Sequence, residues 1–182
     1  MTNYVALFRG INVGGKHILP MQELRDILAA FGCENVQTYI QSGNAIFASS
    51  ARADTLADDI KNAIDDRFGF APQVLLLTVE RFKAIATANP FPEGEKTPKC
   101  LHVWFLTKVP LEPDLDALDS LKAPSEQCLL TGSAFYLHAP EGIGRSVLAN
   151  KVDRILGVST TARNWRTITR LLELIQVNDR KL

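Results

Sequence analysis

Residues 35–49 read NVQTYIQSGNAIFAS, and whether this stretch turns back on itself decides the fold. Val36, Thr38 and Ile40 alternate with Gln37, Tyr39 and Gln41, the two-residue period of a strand. Ser42, Gly43 and Asn44 suit a tight turn, and AIFA at 45–48 reads as the returning strand. A hairpin at this point implies antiparallel pairing. That separates the chain from folds built on parallel strands, each followed by a helix.

The flanking segments complete the pattern. Upstream, YVALFR (Tyr4–Arg9) reads as a buried strand with a glycine after it. In PMQELRDILAAFG (Pro20–Gly32), Met21, Leu24, Ile27, Leu28 and Phe31 recur at helical spacing. Pro20 suits a first helical position and Gly32 the residue just past the end. Downstream, DTLADDIKNAIDDRFG (Asp54–Gly69) puts Leu56, Ile60, Ala63, Ile64 and Phe68 on one face, with Asp54 or Thr55 placed to cap its start. QVLLLT (Gln73–Thr78) is a further strand. The order strand, helix, strand, strand, helix, strand is the split βαβ, or ferredoxin-like, plan of one sheet with two helices on one face.

VERFKAIATA (Val79–Ala88) reads as a short helix. NPFPEGEKTPK (Asn89–Lys99), rich in Pro, Gly and charge, is the expected boundary. The second half repeats the theme. It has a strand at CLHVWFLT (Cys100–Thr107), a short helix at Asp114–Lys122 and a hairpin at Glu126–Ala139. Helices follow at SVLANKVDRIL (Ser146–Leu156) and NWRTITRLLELI (Asn164–Ile175). The expectation is an α+β protein of two ferredoxin-like subdomains in tandem. Residues 1–88 form the first, 89–99 a linker, and 100–182 a second α+β subdomain with a C-terminal helix.

The bulk composition fits a folded soluble chain. Of 182 residues, 46% are apolar and 22% charged. No apolar run approaches the ~20 residues that span a bilayer. The opening MTNYVALFRG lacks a basic leader and a cleavage site. Cys33, Cys100 and Cys128 are odd in number and widely spaced, which fits a reducing compartment better than a disulfide framework. A cytoplasmic location is expected, with no membrane partner. Basic and acidic residues balance, but the excess of positive charge gathers after Arg145.

Between the first strand and helix stands RGINVGGKH (Arg9–His17). From Gly10 it matches the phosphate loop, Gly-x4-Gly-Lys, except that His17 replaces the final Ser or Thr. His17 has no hydroxyl for magnesium, the helix starts about four residues late, and the next strand returns through a hairpin. These features disfavour a P-loop. The loop chemistry is still that of an anion site: Arg9, Asn12 and Lys16 beside the backbone donors of Gly10, Gly14 and Gly15, with Ser42 and Asn44 in the later turn. The competing reading is that the glycines serve loop geometry alone. EGIGRS (Glu141–Ser146) offers Arg145 and Ser146 before a helix, or is a plain cap. TTARNWRT (Thr160–Thr167) offers Arg163 as an anion clamp or surface charge and Asn164 as a cap. Trp165 is expected to pack inward with Ile168.

Other chemistry is not evident. His17, His102 and His138 are far apart, and only Cys100-x-His102 has metal-ligand spacing, without further ligands. No G-x-S-x-G elbow is present. No cofactor is evident.

YVALFRGINVGGK, MQELRDILAAFG, VQTYIQSGNAIF and TARNW together closely resemble a bacterial family known as domain of unknown function 1697. The resemblance runs from Tyr4 to about Ile175. The family reads Leu where Phe8 stands. The resemblance implies a cytosolic bacterial α+β protein with two ferredoxin-like subdomains and carries no activity or functional residues. The positions that match its motifs are Arg9, Gly10, Asn12, Gly14, Gly15, Lys16, Ser42, Gly43, Asn44, Arg163 and Asn164. Three functions stay open. The first is a binding module for an anionic small molecule or nucleotide, with nucleic acid a weaker version because no base-stacking aromatic pair is present. The second is an enzyme acting on a phosphorylated or carboxylated metabolite, with His17 the nearby base. The third is a protein-interaction domain without a ligand.

Overall fold

The computed structural model describes residues 1–41 and 43–179; Ser42 and residues 180–182 lie outside it. The chain divides into two compact units, Met1–Lys83 and a second beginning at Ala84.

The first unit runs β1 (Thr2–Arg9), α1 (Met21–Ala30), β2 (Glu34–Tyr39), β3 (Asn44–Ser49), α2 (Ala53–Phe68) and β4 (Gln73–Thr78). Its sheet has the order β2-β3-β1-β4, every neighbouring pair antiparallel. The register puts Tyr4 opposite Phe47, Ala6 opposite Ala45 and Leu76, and Phe8 opposite Val74. These residues share one face of the sheet. They form one core with Leu24, Ile27 and Leu28 of α1 and Leu56, Ile60 and Ile64 of α2. Both helices therefore cover the same face, as their apolar spacing requires. Each fully buried Leu or Phe there contributes about 2 kcal/mol. α1 ends as anticipated, with Gly32 at φ +72° and its N–H bonded to the Ala29 carbonyl at 2.9 Å. Gly69, at φ +73°, closes α2.

α3 (Val79–Thr87) follows β4 directly, and the division between units falls within it. The second unit continues with β5 (Leu101–Leu106), α4 (Leu115–Leu121), β6 (Gln127–Leu130), β7 (Ala134–His138), α5 (Val152–Leu156), β8 (Thr160–Asn164) and α6 (Trp165–Asp179). Its sheet order β6-β7-β5-β8, again wholly antiparallel, repeats that of the first unit strand for strand. Each sheet's last strand also leads straight into a helix, α3 after β4 and α6 after β8. Trp104, Leu106, Phe135 and Leu137 pack with Leu118 of α4 and with Val152, Ile155 and Leu156 of α5. Trp165 is buried, as is Ile168 three residues on.

Three local expectations change. Segment 89–99 is not a free connection but part of the second unit. Pro92–Lys96 forms a 3-10 turn, and Gly94 is buried so closely that a Cβ would meet Leu101 Cβ at 3.2 Å. The helix expected from Ser146 starts later. A 3-10 turn, Ala149–Lys151, precedes α5, while Ser146 Oγ accepts the Ala149 N–H at 3.0 Å. α2 starts at Ala53 with no side-chain cap: Asp54 and Thr55 are already inside it, and Asp54 pairs with Arg52 at 2.9 Å.

Candidate functional site

The loop after β1 stands on a buried root. Ile11 and Leu19 enter the first unit's core. Between them the chain leaves and returns as a small hairpin. Asn12 N–H donates to the His17 carbonyl at 3.0 Å, and Lys16 N–H to the Val13 carbonyl at 3.1 Å. Gly14 and Gly15 turn the tip at φ +59° and +73°. Two consecutive left-handed residues make a type I′ turn, whose twist matches a hairpin and whose geometry favours glycine. This is not the phosphate-loop conformation. The Lys16 N–H is engaged within the turn, and the helix starts only at Met21.

The Asn12 side chain holds the root closed. Its Oδ1 accepts the Leu19 N–H at 2.8 Å, and its Nδ2 donates to the Leu19 carbonyl at 2.9 Å and the Gln41 carbonyl at 2.8 Å. The last bond ties the loop to the β2–β3 turn. A second tie is Phe8 N–H to the Gly43 carbonyl at 2.9 Å. Gly43 sits at φ +82°, where a Cβ would lie 2.6 Å from Phe8 Cβ and 2.7 Å from Ile11 Cδ1. The stretch RGINVGGK and the residues Gln41 and Gly43, apart in sequence, thus form one end of the first sheet.

His17 joins a third connection to this end. Its Nδ1 lies 2.9 Å from the Gly10 carbonyl, and its ring stacks on Phe70, centroids 4.7 Å apart and planes at 18°. Phe70 lies between α2 and β4. Backbone strain gathers here too. The left-handed non-glycine residues of the molecule's described part are Asn12 (φ 53°), His17 (52°), Asn35 (54°) and Ile40 (49°), and three of them are at this end. Ile40 is β-branched, so its left-handed backbone is costly, on the order of 1–2 kcal/mol.

The second unit supplies an internal comparison. By strand order, its counterpart of the loop after β1 is the connection between β5 and α4, residues 107–114, TKVPLEPD. That segment joins the same two elements with two prolines and no glycine, and none of its residues has positive φ. The counterpart of the β2–β3 turn, residues 131–133, has no positive φ either. The topology alone does not demand the strained glycine hairpin. Charge differs likewise. Residues 9–20, 40–43 and 69–72 contain Arg9, Lys16 and His17 and no carboxylate, whereas 107–114 contain Glu112 and Asp114 beside Lys108.

The sequence-derived residues therefore fall into separate groups. Arg9, Gly10, Gly14, Gly15 and Lys16 are exposed at the end of the first sheet. Asn12 is engaged as the loop's clip. Asn44 is fully buried and donates to the Tyr39 carbonyl at 3.0 Å, which closes its own hairpin. Ser42 lies outside the described residues. Arg145, Ser146, Arg163 and Asn164 belong to the second unit. Ser146 and Asn164 act as caps, Asn164 Oδ1 accepting the Thr167 N–H at 2.9 Å. Arg145 is exposed. Arg163 is partly buried in β8 and donates to the Ala162 carbonyl at 2.8 Å; desolvation pulls its guanidinium down to about 10, still charged at neutral pH. Sequence reasoning did not single out Phe70, Gln41 or Ile40. A lone Gly-Phe-Ala-Pro connection was the weak signal for the first, and none marked the others.

Among the described residues, no three His, Cys, Asp or Glu side chains gather to hold a metal ion, and no helix is long and apolar enough to cross a membrane.

A family described as "Protein of unknown function (DUF1697)" matches residues 1–136. Among curated proteins nothing matches. Among solved structures, the conserved bacterial protein SP0830 from Streptococcus pneumoniae is similar over 97% of this chain and 99% of its own, at 25% identity and a TM-score of 0.74.

Proposed function

This chain belongs to the DUF1697 family of proteins of unknown function, and from that premise we propose that it binds an anionic small molecule, a nucleotide or another phosphorylated metabolite, at the end of its first sheet. The observation that carries this reading is the contrast between the two units. The same connection closes without glycine or left-handed backbone in the second unit, yet in the first it is a strained hairpin that carries Lys16 and follows Arg9, the last residue of β1. Strain that the fold does not need is commonly kept for a ligand. The absence of carboxylates in the three connections leaves the local field positive, which favours an anion. The tip glycines let a ligand approach the backbone closely.

The test is a thermal-shift screen of the whole chain with inorganic phosphate, nucleotides, sugar phosphates and short oligonucleotides, beside Arg9→Ala and Lys16→Ala. A ligand present at about 100 times its Kd adds about 2.7 kcal/mol. At this size that raises Tm by several degrees. The rise is expected to disappear in Lys16→Ala and to fall in Arg9→Ala. A screen in which no anion shifts the wild type would remove the reading.

A further inference from the structure

Resting on that reading, we infer that His17 selects the anion, favouring a phosphate group that shares a proton over a fully deprotonated oxyanion such as sulfate. The imidazole is fixed by two contacts, Nδ1 to the Gly10 carbonyl at 2.9 Å and the ring against Phe70 at 4.7 Å. A carbonyl oxygen has no hydrogen to give, so Nδ1 carries it. In the neutral ring Nε2 is then a lone pair. The residue is exposed, on the position next to Lys16.

Within Arg9–Pro20 the side chains hold only two hydrogen-bond acceptors. Asn12 Oδ1 is engaged by the Leu19 N–H, which leaves His17 Nε2. The cations of this stretch are Lys16, next to His17 in the chain, and Arg9 at the end of β1; on the neighbouring helices Arg67 of α2 pairs with Glu23 of α1. A cation and a ring nitrogen that can accept, on adjacent residues, suit an anion that brings its own proton. Phosphate groups keep one on part of the population near neutral pH. That hydroxyl donates to Nε2 while the other oxygens face Lys16; no covalent bond changes. Sulfate has no proton at this pH, so its oxygens would meet a lone pair. A site whose polar atom is left without its partner rejects the wrong ligand strongly. The left-handed backbone of His17 fits this role, because it sets the ring where both contacts can form.

The experiment compares Kd for inorganic phosphate and sulfate at pH 7.5 and constant ionic strength, in the wild type, His17→Asn and His17→Gln. Asn tolerates left-handed backbone and keeps a donor on the Nδ1 side, but has nothing at the Nε2 position. Gln can place an acceptor oxygen near Nε2. The wild type is expected to hold phosphate about tenfold or more tightly than sulfate. His17→Asn should bring the two within about threefold with Tm little changed, and His17→Gln should restore part of the preference. Equal affinities in the wild type would overturn the inference while leaving an anion site in place, as would a preference that survives His17→Asn. Binding of neither anion would remove the site reading and the inference together.

Discussion

Asn12 Nδ2 lies 2.8 Å from the carbonyl oxygen of Gln41, a bond across 29 residues that joins the glycine hairpin to the β2–β3 turn. The same side chain holds Leu19 by both its N–H and its carbonyl. Asn12→Ala removes all three bonds and leaves two carbonyls and one N–H to find other partners. Its left-handed backbone, at φ 53°, also suits Asn better than Ala. A loss of about 2–3 kcal/mol in denaturant unfolding is expected. Asn12→Asp keeps the acceptor toward Leu19 N–H but turns a carboxylate oxygen toward two carbonyls, so it should be no better. A loss below about 0.5 kcal/mol in Asn12→Ala would show that the clip does not hold the loop.

Gly43 and Gly15 separate two reasons for glycine. Both have positive φ, +82° and +73°, but a Cβ at Gly15 meets open space while one at Gly43 would run into Phe8 and Ile11. Gly15→Ala should cost about 1 kcal/mol, the backbone contribution alone. Gly43→Ala adds overpacking against two buried side chains and should cost about 3 kcal/mol or more. Parallel urea titrations measure the difference. Equal losses would mean that Phe8 and Ile11 yield without cost.

The elements were legible in the sequence wherever an apolar face met a terminator. Leu24, Ile27 and Leu28 before Gly32, and Leu56, Ile60 and Ile64 before Gly69, carry both signals, so α1 and α2 end where the sequence places them. The hairpin around Gly43 was legible because alternation and turn residues agree. The candidate site was less so. Gly14-Gly15 is itself a two-residue hairpin signal, but the glycine spacing around it imitates a phosphate loop. The work of Asn12 depends on where Leu19 and Gln41 arrive, and that is a property of the folded unit. Composition misled at 89–99, since Gly94 is required by close packing rather than by flexibility. It misled at Ser146 as well, where apolar spacing continues but the chain first makes a 3-10 turn.

Asn164 is a cap in this structure, and its substitution separates that role from ligand binding. Its Oδ1 accepts the Thr167 N–H at the start of α6. Asn164→Ala should lower stability by about 1 kcal/mol, while Asn164→Asp or Asn164→Ser should retain most of it. Phosphate affinity at the first unit should be unchanged in all three. A fall in affinity in a variant that melts normally would bring Asn164 back as a ligand residue.

His102 should make the second unit sensitive to acid. It lies in β5 with its ring near Trp104, centroids 5.9 Å apart, and Nδ1 is buried without a hydrogen-bond partner. Burial disfavours the charged ring and pulls it down to about 4 from an ordinary 6.5. The unfolded chain therefore takes up a proton at this side chain before the folded chain does. The stabilisation is fully present above about pH 6.5 and declines as pH falls toward 4, by an amount on the order of 2 kcal/mol after allowing for partial exposure. His102→Phe removes the titration while keeping an aromatic ring beside Trp104. Its Tm should fall less between pH 7 and 4.5 than that of the wild type. If the two pH profiles run parallel, the acid sensitivity does not come from His102.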